Sequence, residues 1–329
     1  MTEEVEGRPF AHQLSNVYFT ILALFCFKIF IKLSLCILSH FYIVKGNRKE
    51  AARIAAEFYG VTQGQSSWAD RSPLHEAASQ GRLLGLKTLL LQGYSPNTLT
   101  IDHVTPLHEA CLGDHLACAR VLIEAGANVN ATTIDGMTPL FHACSRGSAA
   151  CVELLLENGA KPFLDQCLPS PIHEACRKGH SGCLEALITW GADVDQDIPY
   201  LGTPLYVAAA SQHLQCVKKL LYAGVDIEKG RYSDTPLHSA AQQTNADIIK
   251  LLLDFGANAN AKNAESKRPI DMAIQGTMIE RVLLIHEATP CSLCQQCRLC
   301  IRKCLGRSRL HLISLLELPA VLKQFLQYR

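Results

Sequence analysis

From Ser72 onward the chain repeats itself about every 33 residues, and that interval constrains its fold more than any other feature. The segments SPLHEAASQG (72–81), TPLHEACLGD (105–114), TPLFHACSRG (138–147), SPIHEACRKG (170–179), TPLYVAAASQ (203–212) and TPLHSAAQQT (235–244) are followed by a worn RPIDMAIQGT (268–277). A second motif lies at a constant offset behind each of the first six: GYSPN (93–97), GANVN (126–130), GAKPF (159–163), GADVD (191–195), GVDIE (224–228) and GANAN (256–260). Ser or Thr before Pro supplies a capping hydroxyl at a helix start and puts Pro at the first helical position, where its missing N–H costs nothing. In the second repeat Leu107, Ala110 and Cys111 share one helical face, and a second helix over 117–124 turns Cys118, Val121 and Leu122 inward. Gly126 closes that second helix. A helix pair this thin cannot bury its own apolar face, so its stability must come from stacked neighbours.

The period and the T-P-L-H pattern resemble the ankyrin repeat over about 220 residues. The resemblance implies an all-α solenoid of helix-turn-helix repeats with β-turn tips, occupying 61–287 as six clear repeats and a degenerate seventh that would act as a cap. His75-Glu76, His108-Glu109 and His173-Glu174 begin like the zinc-protease motif H-E-x-x-H. Ser79, Leu112 and Arg177 stand where the second His would be, so two ligands cannot share a helix face. In ankyrin repeats this His is structural, bonding the turn to neighbouring backbone. Phe141, Tyr206 and Asp271 occupy the position in three repeats, which a shared metal ladder would not tolerate. The chain carries no P-loop, dinucleotide glycine motif or nucleophile elbow. It is therefore read as non-catalytic, with no cofactor and no metal, and as offering a binding surface. Among the variable tips, Tyr200, Arg231 and Tyr232 are the candidate contacts for a protein substrate, because Tyr and Arg are enriched at binding hot spots.

The net charge of +1 is unevenly spread. Residues 291–329 hold seven Lys/Arg against the single acid Glu317, whereas 61–290 hold 17 basic and 24 acidic residues. The basic tail has no interleaved aromatics for base stacking, so nucleic-acid binding is not expected. The 15 cysteines are scattered among Ala and Leu at small apolar positions, and their odd number, with no signal-peptide cleavage pattern, points to a reducing, cytoplasmic setting. Within an amino-terminal part, 1–60, the stretch 17–44 is apolar and long enough to span a bilayer, which needs about 20 residues. Lys28 and Lys32 lie one turn apart on a shared face, which suits a helix resting on a membrane or packed with its lysines outward. Arg48 to Tyr59 reads as a short leading helix.

The carboxy-terminal part, 288–329, opens with Cys291, Cys294, Cys297, Cys300 and Cys304. This run approaches ferredoxin spacing, but no Gly or Pro lies between Cys294 and Cys304 to let four thiols on one helix converge. Leu293, Cys297 and Ile301, four residues apart, form one narrow apolar stripe instead. That stripe resembles the first part of a SOCS box, and Leu318-Pro319 followed by Leu322, Phe325 and Leu326 resembles its second part, with Val321 where a second Pro is common. The architecture is thus similar to the ankyrin repeat and SOCS box family. The resemblance implies that Leu293, Cys297 and Ile301 dock Elongin C, paired with Elongin B, by a helix-in-groove contact. It implies that Leu318, Pro319, Leu322, Phe325 and Leu326 meet cullin-5, which brings its RING protein, so that a bound target is ubiquitinated and degraded. A non-degradative ankyrin scaffold held at a membrane by 17–44 is the alternative.

Overall fold

The computed structural model describes residues 71–162, 170–289, 292–306, 310, 312–313 and 315–327. The chain divides into units 1–73 and 74–329. The membrane expectation for 17–44 and the leading helix expected over 48–59 lie outside the described residues. Among the described residues no helix is long and apolar enough to cross a membrane.

Seven helix pairs follow the repeats: α1 (Pro73–Ser79) with α2 (Leu83–Leu91), α3 (Pro106–Leu112) with α4 (Leu116–Glu124), α5 (Pro139–Arg146) with α6 (Ala149–Glu157), and α7 (Pro171–Lys178) with α8 (Ser181–Thr189). Then come α9 (Pro204–Ala210) with α10 (Leu214–Ala223), α11 (Pro236–Ala241) with α12 (Ala246–Asp254), and the worn pair α13 (Pro269–Met272) and α14 (Met278–Ala288). First helices stack on first helices and second on second, which gives the all-α ankyrin solenoid expected from the period. Among the described residues the only extended pairing is two isolated bridges, Ile198–Gly202 and Arg231–Asp234. The helix starts follow the capping chemistry: the hydroxyls of Thr105, Thr138 and Thr203 accept from the backbone N–H three residues on, each with Pro next in the chain.

The core runs unbroken between the two helical rows. In the second repeat Leu107, Ala110 and Cys111 are fully buried, and so, to within 1 %, are Cys118, Ala119 and Leu122. Val121, half-buried, packs against this core as expected, and Ala119 joins the inward face. A second helix packs against both its own first helix and its neighbouring second helices, so its buried arc is centred between 118 and 119 and Val121 falls at the rim. The seventh pair ends the stack: α13 is a single turn, and α14 closes the core with Ile279 and Leu283.

Histidines stitch the repeats together. The Nε2–H of His75, His108, His173 and His238 donates to the carbonyl 29 residues ahead, on Val104 (2.9 Å), Met137 (3.2 Å), Gly202 (2.9 Å) and Lys267 (3.1 Å). In His108 and His238 the opposite ring nitrogen accepts from the cap threonine's N–H, at 3.1 Å in both. A second set was not singled out in the sequence. His115 and His213, at the starts of second helices, reach back 36 residues to the carbonyls of Ser79 (3.0 Å) and Arg177 (3.1 Å).

Burial holds the His108 and His173 imidazoles down to about 4 from 6.5, against their carbonyl hydrogen bonds, which raise them. The unfolded chain takes up these protons near pH 6.5 and the folded chain does not until near pH 4. Their contribution is thus complete above pH 6.5 and is lost as pH falls toward 4, by at most about 1.4 kcal/mol per pH unit for each His. Denaturant unfolding from pH 7 to 4.5, with ring NMR titration of these two residues, is expected to show that loss. A flat profile across the window would contradict it.

Candidate functional site

Helix α15 (Leu293–Leu305) starts where the Ser292 hydroxyl accepts from the Gln295 N–H at 3.2 Å. Its two faces do different things. Gln295, Arg298, Leu299 and Arg302 recur at helical spacing and are half-buried. The Gln295 side-chain amide donates to the carbonyls of Leu253 (3.2 Å) and Asp254 (3.3 Å), at the C-terminal end of α12. Arg302 donates to the Leu221 carbonyl in the last turn of α10 (3.2 Å) and to the Leu326 carbonyl in α16 (Ala320–Leu326) (3.0 Å). A cation at two helix C-termini is favoured by both dipoles. The Arg302 guanidinium also lies 5.5 Å from the Phe255 ring centre, and that of Arg298 lies 3.9 Å from the Phe325 ring centre. Leu299 sits on Gly256: a β-carbon there would come within 2.8 Å of its Cδ1.

The opposite face of α15 is open. Leu293 is 75 % exposed, Ile301 42 % exposed, and Cys297 between them is exposed. The expected docking stripe is therefore brought together and turned away from the array. Cys294, Cys300 and Cys304 are exposed as well, while Cys291 lies outside the described residues. Among the described residues no three His, Cys, Asp or Glu side chains are grouped to hold a metal. Among the described residues the seven thiols of the array are all buried, and burial pushes that of Cys216 up to about 11.

The five expected cullin contacts divide. Pro319 and Leu322 are exposed and Leu318 is half-buried. Leu326 is buried, with its carbonyl held by Arg302, and Phe325 lies half-buried beneath Arg298. A side chain buried inside the box presents no surface to a partner, so Leu326 serves to seat α16. The apolar residues that α16 and the turn before it do present include Leu315 and Val321, at 76 % and 74 % exposure, which the sequence reading left out of the contact set.

At the far ends of the repeats, Tyr200 and Tyr232 stand on neighbouring tips with ring centres 6.3 Å apart, edge to face. Arg231 does not point out with them. It folds back over the Tyr206 ring at 5.3 Å and is half-buried. On α7, Glu174 accepts from both Nε and Nη2 of Arg177 (2.8 and 2.7 Å) and from the Ser145 hydroxyl (2.9 Å). Burial pushes the Glu174 carboxyl up, but these bonds and the Arg177 charge outweigh it and leave the group below its ordinary value. Arg177 is the residue at the place of a second zinc ligand, and it holds the motif's glutamate in an ion pair.

Comparison with known proteins agrees with this division. Family models for ankyrin repeats match residues 74–166, 161–231 and 232–264, and a SOCS box model matches 289–327. The chain is 78 % identical to ankyrin repeat and SOCS box protein 5 of Bos taurus and 75 % identical to that of Homo sapiens, in each case over 98 % of both chains. The crystal structure of the human ASB11 ankyrin repeat domain superposes with a TM-score of 0.65 at 53 % identity, covering 67 % of this chain and all of that one.

Two glycines with similar backbone isolate the seat of α15. Gly256 (φ +94°) lies under Leu299, whereas Gly126 (φ +87°) has nothing within 4 Å of a built β-carbon. Gly126→Ala is expected to cost about 1–2 kcal/mol of backbone strain alone. Gly256→Ala is expected to add about 1–3 kcal/mol by displacing Leu299, and to speed hydrogen exchange selectively across 293–305. Equal exchange in the two variants would show that the Leu299 contact does not hold the helix.

Proposed function

The chain belongs to the ankyrin repeat and SOCS box protein family, and on that premise we propose that it is the substrate receptor of an Elongin B/C–cullin-5–RING ubiquitin ligase. The observation that carries this reading is the division of α15. One face is tied to the array through Gln295, Leu299 and Arg302, and the other leaves Leu293, Cys297 and Ile301 open to a partner. A stripe of residues four apart suits a helix-in-groove contact, with the small Cys between two larger aliphatic side chains permitting close approach. Elongin C, carrying Elongin B, would take that stripe. Cullin-5 with its RING protein would take the exposed surface around Pro319 and Leu322.

The receptor itself does no bond chemistry. It raises the concentration of target lysines near a charged ubiquitin-conjugating enzyme, and proximity alone accounts for its effect on rate. Rigidity matters to such a device, because an array that swung freely on its box would dilute that local concentration. The contacts of Arg302 to both α10 and α16 support a fixed angle between target and ligase.

The double variant Leu293→Ala with Cys297→Ala is expected to lower Elongin B/C capture by at least about tenfold while leaving array unfolding unchanged, since both side chains face solvent. Undiminished capture would refute the receptor reading. Within the second half of the box, Leu322→Ala is expected to weaken cullin-5 recruitment at unchanged Elongin capture. Leu326→Ala is expected instead to destabilise the box by about 2–4 kcal/mol and weaken both. Identical behaviour of the two variants would mean that burial does not separate their roles.

A further inference from the structure

Resting on the receptor reading, we propose that the tips carrying Tyr200 and Tyr232 bind an extended basic segment of the target protein, with Lys or Arg side chains two residues apart seated against the two rings.

The first ground is conformational. Tyr200 is the third residue of the turn Ile198–Pro199–Tyr200–Leu201, closed by the Leu201 N–H to the Ile198 carbonyl at 3.1 Å, and its φ is +69°. Tyr232 is the first of two residues joining Arg231 and Asp234, which exchange two backbone hydrogen bonds of 2.9 Å, and its φ is +55°. Turns of these kinds ordinarily place glycine at both positions. A tyrosine at each is strained, and at 78 % and 77 % exposure neither ring offsets that strain by burial in the fold. Large rings held at strained, exposed positions point to binding.

The second ground is the ligand's geometry. The ring centres lie 6.3 Å apart at an interplanar angle of 78°. In an extended chain, side chains two residues apart share a face at about 6.6 Å. Cations attract aromatic faces, and Tyr is a good acceptor of such contacts.

The third ground is charge. The loops 191–202 and 224–235 carry Asp193, Asp195, Asp197, Asp226, Glu228 and Asp234 against Lys229 and Arg231, and Arg231 is turned inward over Tyr206. The turn itself does not require these charges. Asp195 accepts from the Asp226 N–H (2.8 Å) and Glu228 from the Asn258 N–H (2.8 Å). In earlier repeats neutral Asn97 and Asn130 make the same bond, to the N–H groups of Asn128 (2.7 Å) and Lys161 (2.8 Å). The net negative charge of the two loops that carry the tyrosines is therefore additional to what the fold needs. It opposes phosphate-bearing partners and favours a basic one.

The test uses the full chain in complex with Elongin B/C, labelled with fluorotyrosine, its resonances assigned by single Tyr→Phe changes. Titration with a synthetic Gly-Lys-Gly-Lys-Gly peptide is expected to give saturable shifts at Tyr200 and Tyr232 that weaken at least about fivefold between low and high salt. The matching Glu peptide is expected to give none. Tyr200→Gly with Tyr232→Gly is expected to leave the remaining tyrosines unshifted by the peptide and to unfold at the same or a higher temperature, since it relieves strain. A lack of saturable shifts up to millimolar peptide, or equal shifts with the Glu peptide, overturns the proposal. Elongin capture is read on the same preparations: its failure removes the receptor reading, whereas absent peptide shifts with capture intact remove only this one.

Discussion

The structure depends on a hydrogen bond that one repeat cannot make alone. An imidazole N–H at the start of a first helix reaches a carbonyl 29 residues ahead, four times along the array. Each such bond joins the helix cap of one repeat to the tip that leads into the next, so forming a repeat and stacking it are the same event. Burial keeps the rings of His108 and His173 neutral, which leaves one nitrogen to donate forward; in His108 the other accepts from the cap. Isolated, a helix pair would lose this bond together with the apolar surface it buries against neighbours, which is why such arrays behave as one-dimensional assemblies.

Where the stitch is replaced, the surface changes. Tyr206 occupies the histidine position in the fifth repeat, buried, and Arg231 from the following tip lies over its ring. That contact anchors the base of the hairpin carrying Tyr232 and takes the guanidinium out of the exposed set. The substitution of a ring that cannot donate from the same place thus connects the internal scaffold to the most exposed aromatic pair on the array.

At the other end, the box is attached by polar groups as much as apolar ones. Gln295 and Arg302 donate to carbonyls at the ends of α12 and α10, where the helix dipole favours a donor or a cation. Using amide and guanidinium groups on the array side also keeps the outer stripe of Leu293, Cys297 and Ile301 distinct in chemistry from the inner face, so the helix has one face for the array and another open to solvent.

The order of helices, their caps, the core positions of the first helices and the shared face of Leu293, Cys297 and Ile301 were legible in the sequence. Each is a local property, set by a period, a Thr-Pro pair or a four-residue spacing that the backbone converts directly into a face. What depended on packing between distant segments was not legible. Ala119 is fully buried and Val121 only half-buried because the arc a second helix buries depends on its neighbours. Arg231 turned inward because Tyr206, 25 residues earlier, offered it a ring. Leu326 became a packing residue and Arg302 a bridge because α15 lies across helix ends far away in the chain. Spacing along one helix determines which residues share a side, but which side meets protein and which meets solvent is decided only when the repeats have stacked and the box has settled on them.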